Sequence, residues 1–196
     1  MKKLFLFLLV LIAQYSFADS FIIKNDGSKA VIKSNSFRVD ANEKKIYYKL
    51  MDNDSEIKMS FKDFDYVVFG VNKFKTFKLQ NSNEVRGFFV LAETAERTLV
   101  SISMPDQDSE ESTKVFYLFY VLDKQNTVID SHEFNNVVNV KNANIRAEIY
   151  AKIKLYFVSC DLLLNRLNYF DRNSQQINNT AILGFFDKPV YVSCLE

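Results

Sequence analysis

Tryptophan is missing from this 196-residue chain, and glycine (4), proline (2), cysteine (2) and histidine (1) are all scarce. Each shortage excludes a chemistry. Four scattered glycines cannot build the clustered backbone N–H groups of a phosphate-binding loop. One imidazole and two thiols leave little for a metal centre or an activated nucleophile, and no serine stands in a glycine-flanked elbow. An excess of one charge is lacking too: 25 Lys and Arg face 24 Asp and Glu, for a formal charge of +1. Such a balance sets up no field that would draw in nucleic acid or an anionic membrane. What the chain does have is apolar and aromatic mass. It is 48% hydrophobic, with 19 Phe and 10 Tyr, which is the composition of a folded protein with many rings in its core.

The first residues read as a secretory signal peptide. Met1-Lys2-Lys3 is followed by an apolar run from Leu4 to Ala13, then by Ser16-Phe17-Ala18 ahead of Asp19. The two lysines supply the positive end, the apolar core falls well short of the ~20 residues that span a bilayer, and small residues at 16 and 18 suit a signal peptidase. Cleavage is expected after Ala18. Loss of Lys2 and Lys3 takes the formal charge from +1 to −1. The remainder, 19–196, is expected to form a single β-rich domain, periplasmic or secreted, without a transmembrane anchor. At this length one hydrophobic core suffices without a metal staple.

Cys160 and Cys194 both belong to the exported part. In an oxidising compartment an even pair is most simply a disulfide. It would close a loop of about 35 residues, worth about 4 kcal/mol on the chain-entropy model, and tie the carboxyl-terminal end to a helix. Two buried thiols are the competing reading.

From Phe21 to about Val140 the pattern is one of short β-rich runs separated by polar turns. Strands are expected at 21–24, 30–33, 37–40, 45–49, 57–61, 66–69, 74–79, 87–92, 98–104, 115–122, 128–130 and 134–140. Asn25-Asp26-Gly27, Ala41-Asn42-Glu43, Asp52-Asn53-Asp54, Asn81-Ser82-Asn83 and Lys124-Gln125-Asn126 carry turn chemistry between them. Strands recurring every 8 to 12 residues with such turns predict a meander-like antiparallel sandwich or partly open barrel. Residues 115–122 are apolar on both alternating faces, which predicts a central strand covered on one side by a helix or by a ligand cavity.

After Val140 the period changes. Ile145, Ile149, Ile153, Tyr156, Phe157, Cys160, Leu163, Leu164 and Leu167 step by three and four, one continuous helical face. A helical segment over about 142–170 follows, either one long helix or two breaking near Ser159-Cys160-Asp161, with Asn142 or Asn144 as the cap. Asp171 to Thr180 reads as a polar loop, and Ile182–Phe186 and Val190–Val192 as short strands in the tail. The fold class is thus α+β.

Two segments, Tyr66-Val67-Val68-Phe69-Gly70 leading into Lys73-Phe74-Lys75-Thr76-Phe77, and Tyr156-Phe157-Val158-Ser159-Cys160-Asp161-Leu162-Leu163, resemble small exported proteins of Bacteroidota that have no assigned activity. The resemblance implies export and a sheet-plus-helix build, and it carries over no functional residue.

His132, in Ser131-His132-Glu133 between two β runs, reads as a turn or strand-surface histidine. Asp52–Glu56 and Asp106–Glu111 alternate carboxylates as calcium sites do, yet neither has the glycine or the closing Glu of an EF-hand loop, so solvated hairpin loops are expected. Lys73, Lys75 and Lys78 interleave with Phe74 and Phe77; lysines there protect an exposed sheet edge more simply than they grip a polymer. No catalytic, cofactor-binding or metal-ligating residue is predicted. The expected function is non-catalytic binding or interaction. Its partner would be another envelope or extracellular protein, and nucleic acid is not expected. The alternative is a lipocalin-like carrier of a small apolar ligand. A hydrolase of envelope or extracellular polymer ranks third, since no carboxylate pair stands out.

Overall fold

The computed structural model describes residues 20–52, 54–80, 82–105, 114–136, 145–172 and 180–195. The leader with its cleavage point, the Asp106–Glu111 cluster, the two cap asparagines and most of the 171–180 loop therefore lie outside the described residues.

Twelve strands run in chain order: β1 Phe21–Lys24, β2 Lys29–Val31, β3 Arg38–Asp40, β4 Lys45–Tyr48, β5 Ile57–Ser60, β6 Phe64–Phe69, β7 Asn72–Lys78, β8 Val85–Glu93, β9 Arg97–Pro105, β10 Val115–Asp123, β11 Val128–Asn135 and β12 Val192–Ser193. Among the described residues three α-helices, α1 Ile145–Tyr156, α2 Asp161–Arg172 and α3 Thr180–Asp187, precede β12. β3-β4-β5 form a small sheet. The large one has the order β11-β10-β9-β8-β7-β6-β1-β2, with β12 added beside β8. Every pairing is antiparallel except β12 with β8. From β6 to β11 the sheet is a plain meander, as the short polar turns predict.

Those turns behave as their residues dictate. Gly27 takes φ 81° and Asn126 φ 61°, the left-handed backbone that Gly and Asn tolerate best. The Asp26 and Asp123 carboxylates accept from backbone N–H groups of Ser28 and of Gln125 and Thr127.

Cross-strand register shows how the large sheet is covered. Phe74 pairs with Phe89, Phe89 with Ser101 and Ser101 with Phe119, so this row shares one face. Over the Phe74 end lies the small sheet, burying Ile22, Ile46, Phe61, Phe64 and Val67. Over the Phe119 end lie the helices, burying Ile149, Ile153, Phe157, Leu163 and Leu167 against Leu99, Tyr117 and Val121. Each such side chain contributes about 2 kcal/mol of apolar transfer. The next row, Val90, Val100 and Tyr120, faces the other way. Its companions Phe77, Leu79, Phe88 and Leu122 are buried there by curling of the sheet. Gln80 receives a hydrogen bond from Thr127 Oγ1 (2.7 Å) and so brings the end of β7 across to the β10–β11 turn. The sheet is curled but open, with β11 and β2 at its edges.

Four expectations need correction. Residues 182–186 are helical, within α3, because a short apolar run serves a buried helix as well as a strand. Residues 128–130 and 134–135 belong to one strand, β11, while 137–140 of the expected strand lie outside the described residues; the polar Ser131-His132-Glu133 stretch belongs to an edge strand with a wet face rather than to a break. β10 stands second from the edge, inside β11. β7 is an interior strand, so its lysines guard no edge; Lys73 is instead paired with Glu93. The helical stripe does break where the second alternative put it, between Tyr156 and Asp161.

Candidate binding site

β8 and β9 are neighbours, yet they pair along only part of their length. The ladder runs from Glu93↔Thr98 to Phe89↔Ser101 and stops there. β8 continues paired to β7 down to Val85, and β9 to β10 out to Pro105. Continued in register, Phe88 would face Ile102, Gly87 Ser103, Arg86 Met104 and Val85 Pro105. None of these makes a rung, so the sheet forks. A cleft of 340 Å³ opens there, lined by Arg86, Gly87 and Phe88 of β8, Ile102 and Met104 of β9, and Leu118 of β10. Phe61 and the β3–β4 turn, with Ala41, Asn42 and Lys44, close one flank.

Close packing surrounds the fork. Gly87 carries no side chain because none would fit: a Cβ there would come within 2.4 Å of Phe74 and 2.9 Å of Phe61. β8 is therefore seated directly on the aromatic core beneath the small sheet. At the far end Pro105 has no N–H to offer Val85. The β3–β4 turn is fixed as well, since Asp40 Oδ1 accepts from Glu43 N (2.9 Å) and Lys44 O accepts from Phe61 N (2.9 Å). Lys44 itself stands at φ 55°.

The mouth carries three charges. Lys44 Nζ donates to Glu84 Oε1, and Arg86 Nε donates to Glu84 Oε2 at 3.0 Å. The Lys44 hydrogen bond, with that of Arg86 behind it, holds the Glu84 carboxyl below the usual carboxylate range. The trio carries one net positive charge over an apolar floor. Such a floor with few polar groups at its rim is how small recognition sites are built. Nothing local in the sequence announces this cleft. A glycine inside a strand and a proline at a strand end were its only traces.

The other end of the same seam is closed. β12 lies parallel to β8 beyond the reach of β7, with Val192 beside Ala92 and Ser193 beside Glu93. Cys194 N donates to Glu93 O (2.7 Å) and Tyr191 N to Val71 O (2.9 Å). The half-buried Glu93 carboxylate takes both Lys73 Nζ (2.6 Å) and the Tyr191 hydroxyl (2.7 Å). Burial, then the Glu93 hydrogen bond, pushes the Tyr191 phenol up to about 12. Cys160 and Cys194 stand at disulfide distance, their Cα atoms 5.6 Å apart. Arg97, at the start of β9, donates Nη1 to Tyr156 O (3.1 Å) at the carboxyl end of α1, where a cation suits the helix dipole.

His132 is neither in a turn nor on the open surface. It sits on β11 among Phe119 and Phe134, with Glu148 of α1 3.7 Å away, and burial lowers its pKa against the pull of that carboxylate. It does not line the cleft. Asp52 is in an ion pair with Lys33, and Asp54 accepts from Met51 N. Among the described residues no three His, Cys, Asp or Glu gather as a metal would need, and no helix is long and apolar enough to cross a membrane.

Comparison with protein-family models, with curated proteins and with solved structures returns no match to this chain.

Proposed function

We propose that this is an exported, non-catalytic binding protein whose ligand enters the fork between β8 and β9. One observation carries the reading: strands that could pair in register stop pairing at Phe89↔Ser101 and leave a 340 Å³ cleft with an apolar floor and a charged rim. The disulfide between Cys160 and Cys194 is compatible with a periplasmic or secreted setting. The titratable groups at the rim, Lys44, Glu84 and Arg86, are engaged with one another, and the single carboxylate among them lacks the second that paired-carboxylate hydrolysis needs. His132 is committed to the aromatic layer under the helices.

A carrier of a small apolar molecule is the second reading, favoured by the Phe61, Phe88, Ile102 and Leu118 walls. The open sheet counts against it, because a carrier of this kind surrounds its ligand.

The experiment is native mass spectrometry of the oxidised protein purified from its own host, beside the Met104→Trp variant, which narrows the cleft near a strand end. An adduct on the unaltered protein that is absent from M104W supports the reading. The same adduct on both, or none on either, overturns it.

A further inference from the structure

We infer that the occupant of the fork is an extended peptide segment with an acidic residue at its outer end, which adds a strand between β8 and β9. This rests on the binding reading above and names its ligand class.

Residues 85–88 of β8 are hydrogen-bonded to β7 on one side, and residues 102–105 of β9 to β10 on the other. In a strand, successive peptide groups point to opposite neighbours. Each four-residue stretch therefore presents unmet N–H and C=O groups toward the gap. Two such edges face each other along about 13 Å, taking about 3.3 Å per residue. An edge of this kind is a template for another strand, and here it is doubled, so an inserted segment can be bonded from both sides. An apolar small molecule would leave those groups to water.

The side-chain environment alternates as a strand demands. On one side of the gap stand Phe61 and the β3–β4 turn; on the other stand Phe88, Ile102 and Leu118. Successive side chains of an inserted segment would point to these two sides in turn, which specifies apolar residues at alternate positions. Charge fixes the end. Lys44 and Arg86 share one carboxylate, Glu84, so the rim has one positive charge in excess. An incoming carboxylate completes that pairing, whereas a lysine at the same place meets two cations. The fork is present without an occupant: no rung joins β8 to β9 beyond Phe89↔Ser101, and Pro105 has no N–H to offer one.

The test uses the full oxidised chain and an array of labelled six-residue peptides. Alternate positions are drawn from Val, Leu and Phe, and the terminal residue is Glu, Gln or Lys. Laurate serves as the small apolar anion. The expected result is binding of Glu-ended peptides at least about tenfold tighter than Lys-ended ones, with loss of binding when alternate backbone nitrogens are methylated. Arg86→Glu should invert the Glu-over-Lys order. If laurate binds and M104W blocks it while no peptide binds below about 100 µM, the peptide inference is overturned and the binding reading stands. Peptides that bind regardless of backbone methylation also overturn it. If neither peptides nor laurate bind and no adduct is found on the native protein, both fall.

Discussion

The seam between β8 and β9 ends in two opposite ways. At Glu93 and Thr98 the strand edge is covered by β12, the tail is bonded to Cys160, and one carboxylate holds both a lysine and a tyrosine. At Val85 and Pro105 the strands part, and the charges at the rim are half in water. The same pair of strands thus concentrates stability at one end and accessibility at the other. That division is the usual one between a scaffold and the site it carries.

The contrast can be broken by mutation, beginning where most is buried. Phe119→Ala empties a fully buried site under the helices and should cost about 4 kcal/mol in urea unfolding. A cost below about 1 kcal/mol would mean that the helical cover is not the stabilising half. Replacing Cys160 and Cys194 together by Ser removes a link spanning 34 residues and should cost about 3 kcal/mol. Peptide binding at the fork should survive that change. A proportional loss of binding would show that the two ends are coupled.

Tyr191→Phe removes one hydrogen bond to Glu93 and should cost about 1 kcal/mol. It has a pH signature as well. With its folded pKa at about 12 against an unfolded value near 10, the phenol's contribution is fully present below pH 10. It disappears as pH rises through 12, so Y191F should remove that part of the alkaline decline in stability. Smallest of all, Arg86→Ala should shift the melting temperature by less than about 2 °C, since Arg86 is half exposed. A large drop would place the open end within the stabilising core after all.

Much of this fold was legible in the sequence, and the parts that were not have physical reasons. Turn residues and period-two alternation located the strands because hairpins impose local rules. Cysteine parity, with the helical stripe through Cys160, pointed to the pair that stands at disulfide distance beside the tail. The run Ile182–Phe186 misled because apolar residues covered on all sides carry no period; its helix is specified by tertiary packing, with Gly184 so close to Phe170 that a Cβ would lie 2.7 Å from the ring. His132 looked like punctuation because its neighbours Ser131 and Glu133 lie on the polar face of an edge strand. Of the fork, the sequence held no more than a glycine inside one strand and a proline at the end of another. The fork depends on a glycine fitting against Phe61 and Phe74, which lie 26 and 13 residues away in sequence, and on which rungs fail to form, and neither leaves a local pattern.

Lys44 occupies left-handed backbone, where an unbranched L side chain is tolerated at some strain and glycine would be at ease. A glycine in its place would relax the hairpin while deleting the ammonium group that faces Glu84. Selection for thermal robustness alone would accept that exchange, and selection for ligand capture would reject it. A library randomised at this one codon and sorted separately for each property would therefore be expected to return two different residues.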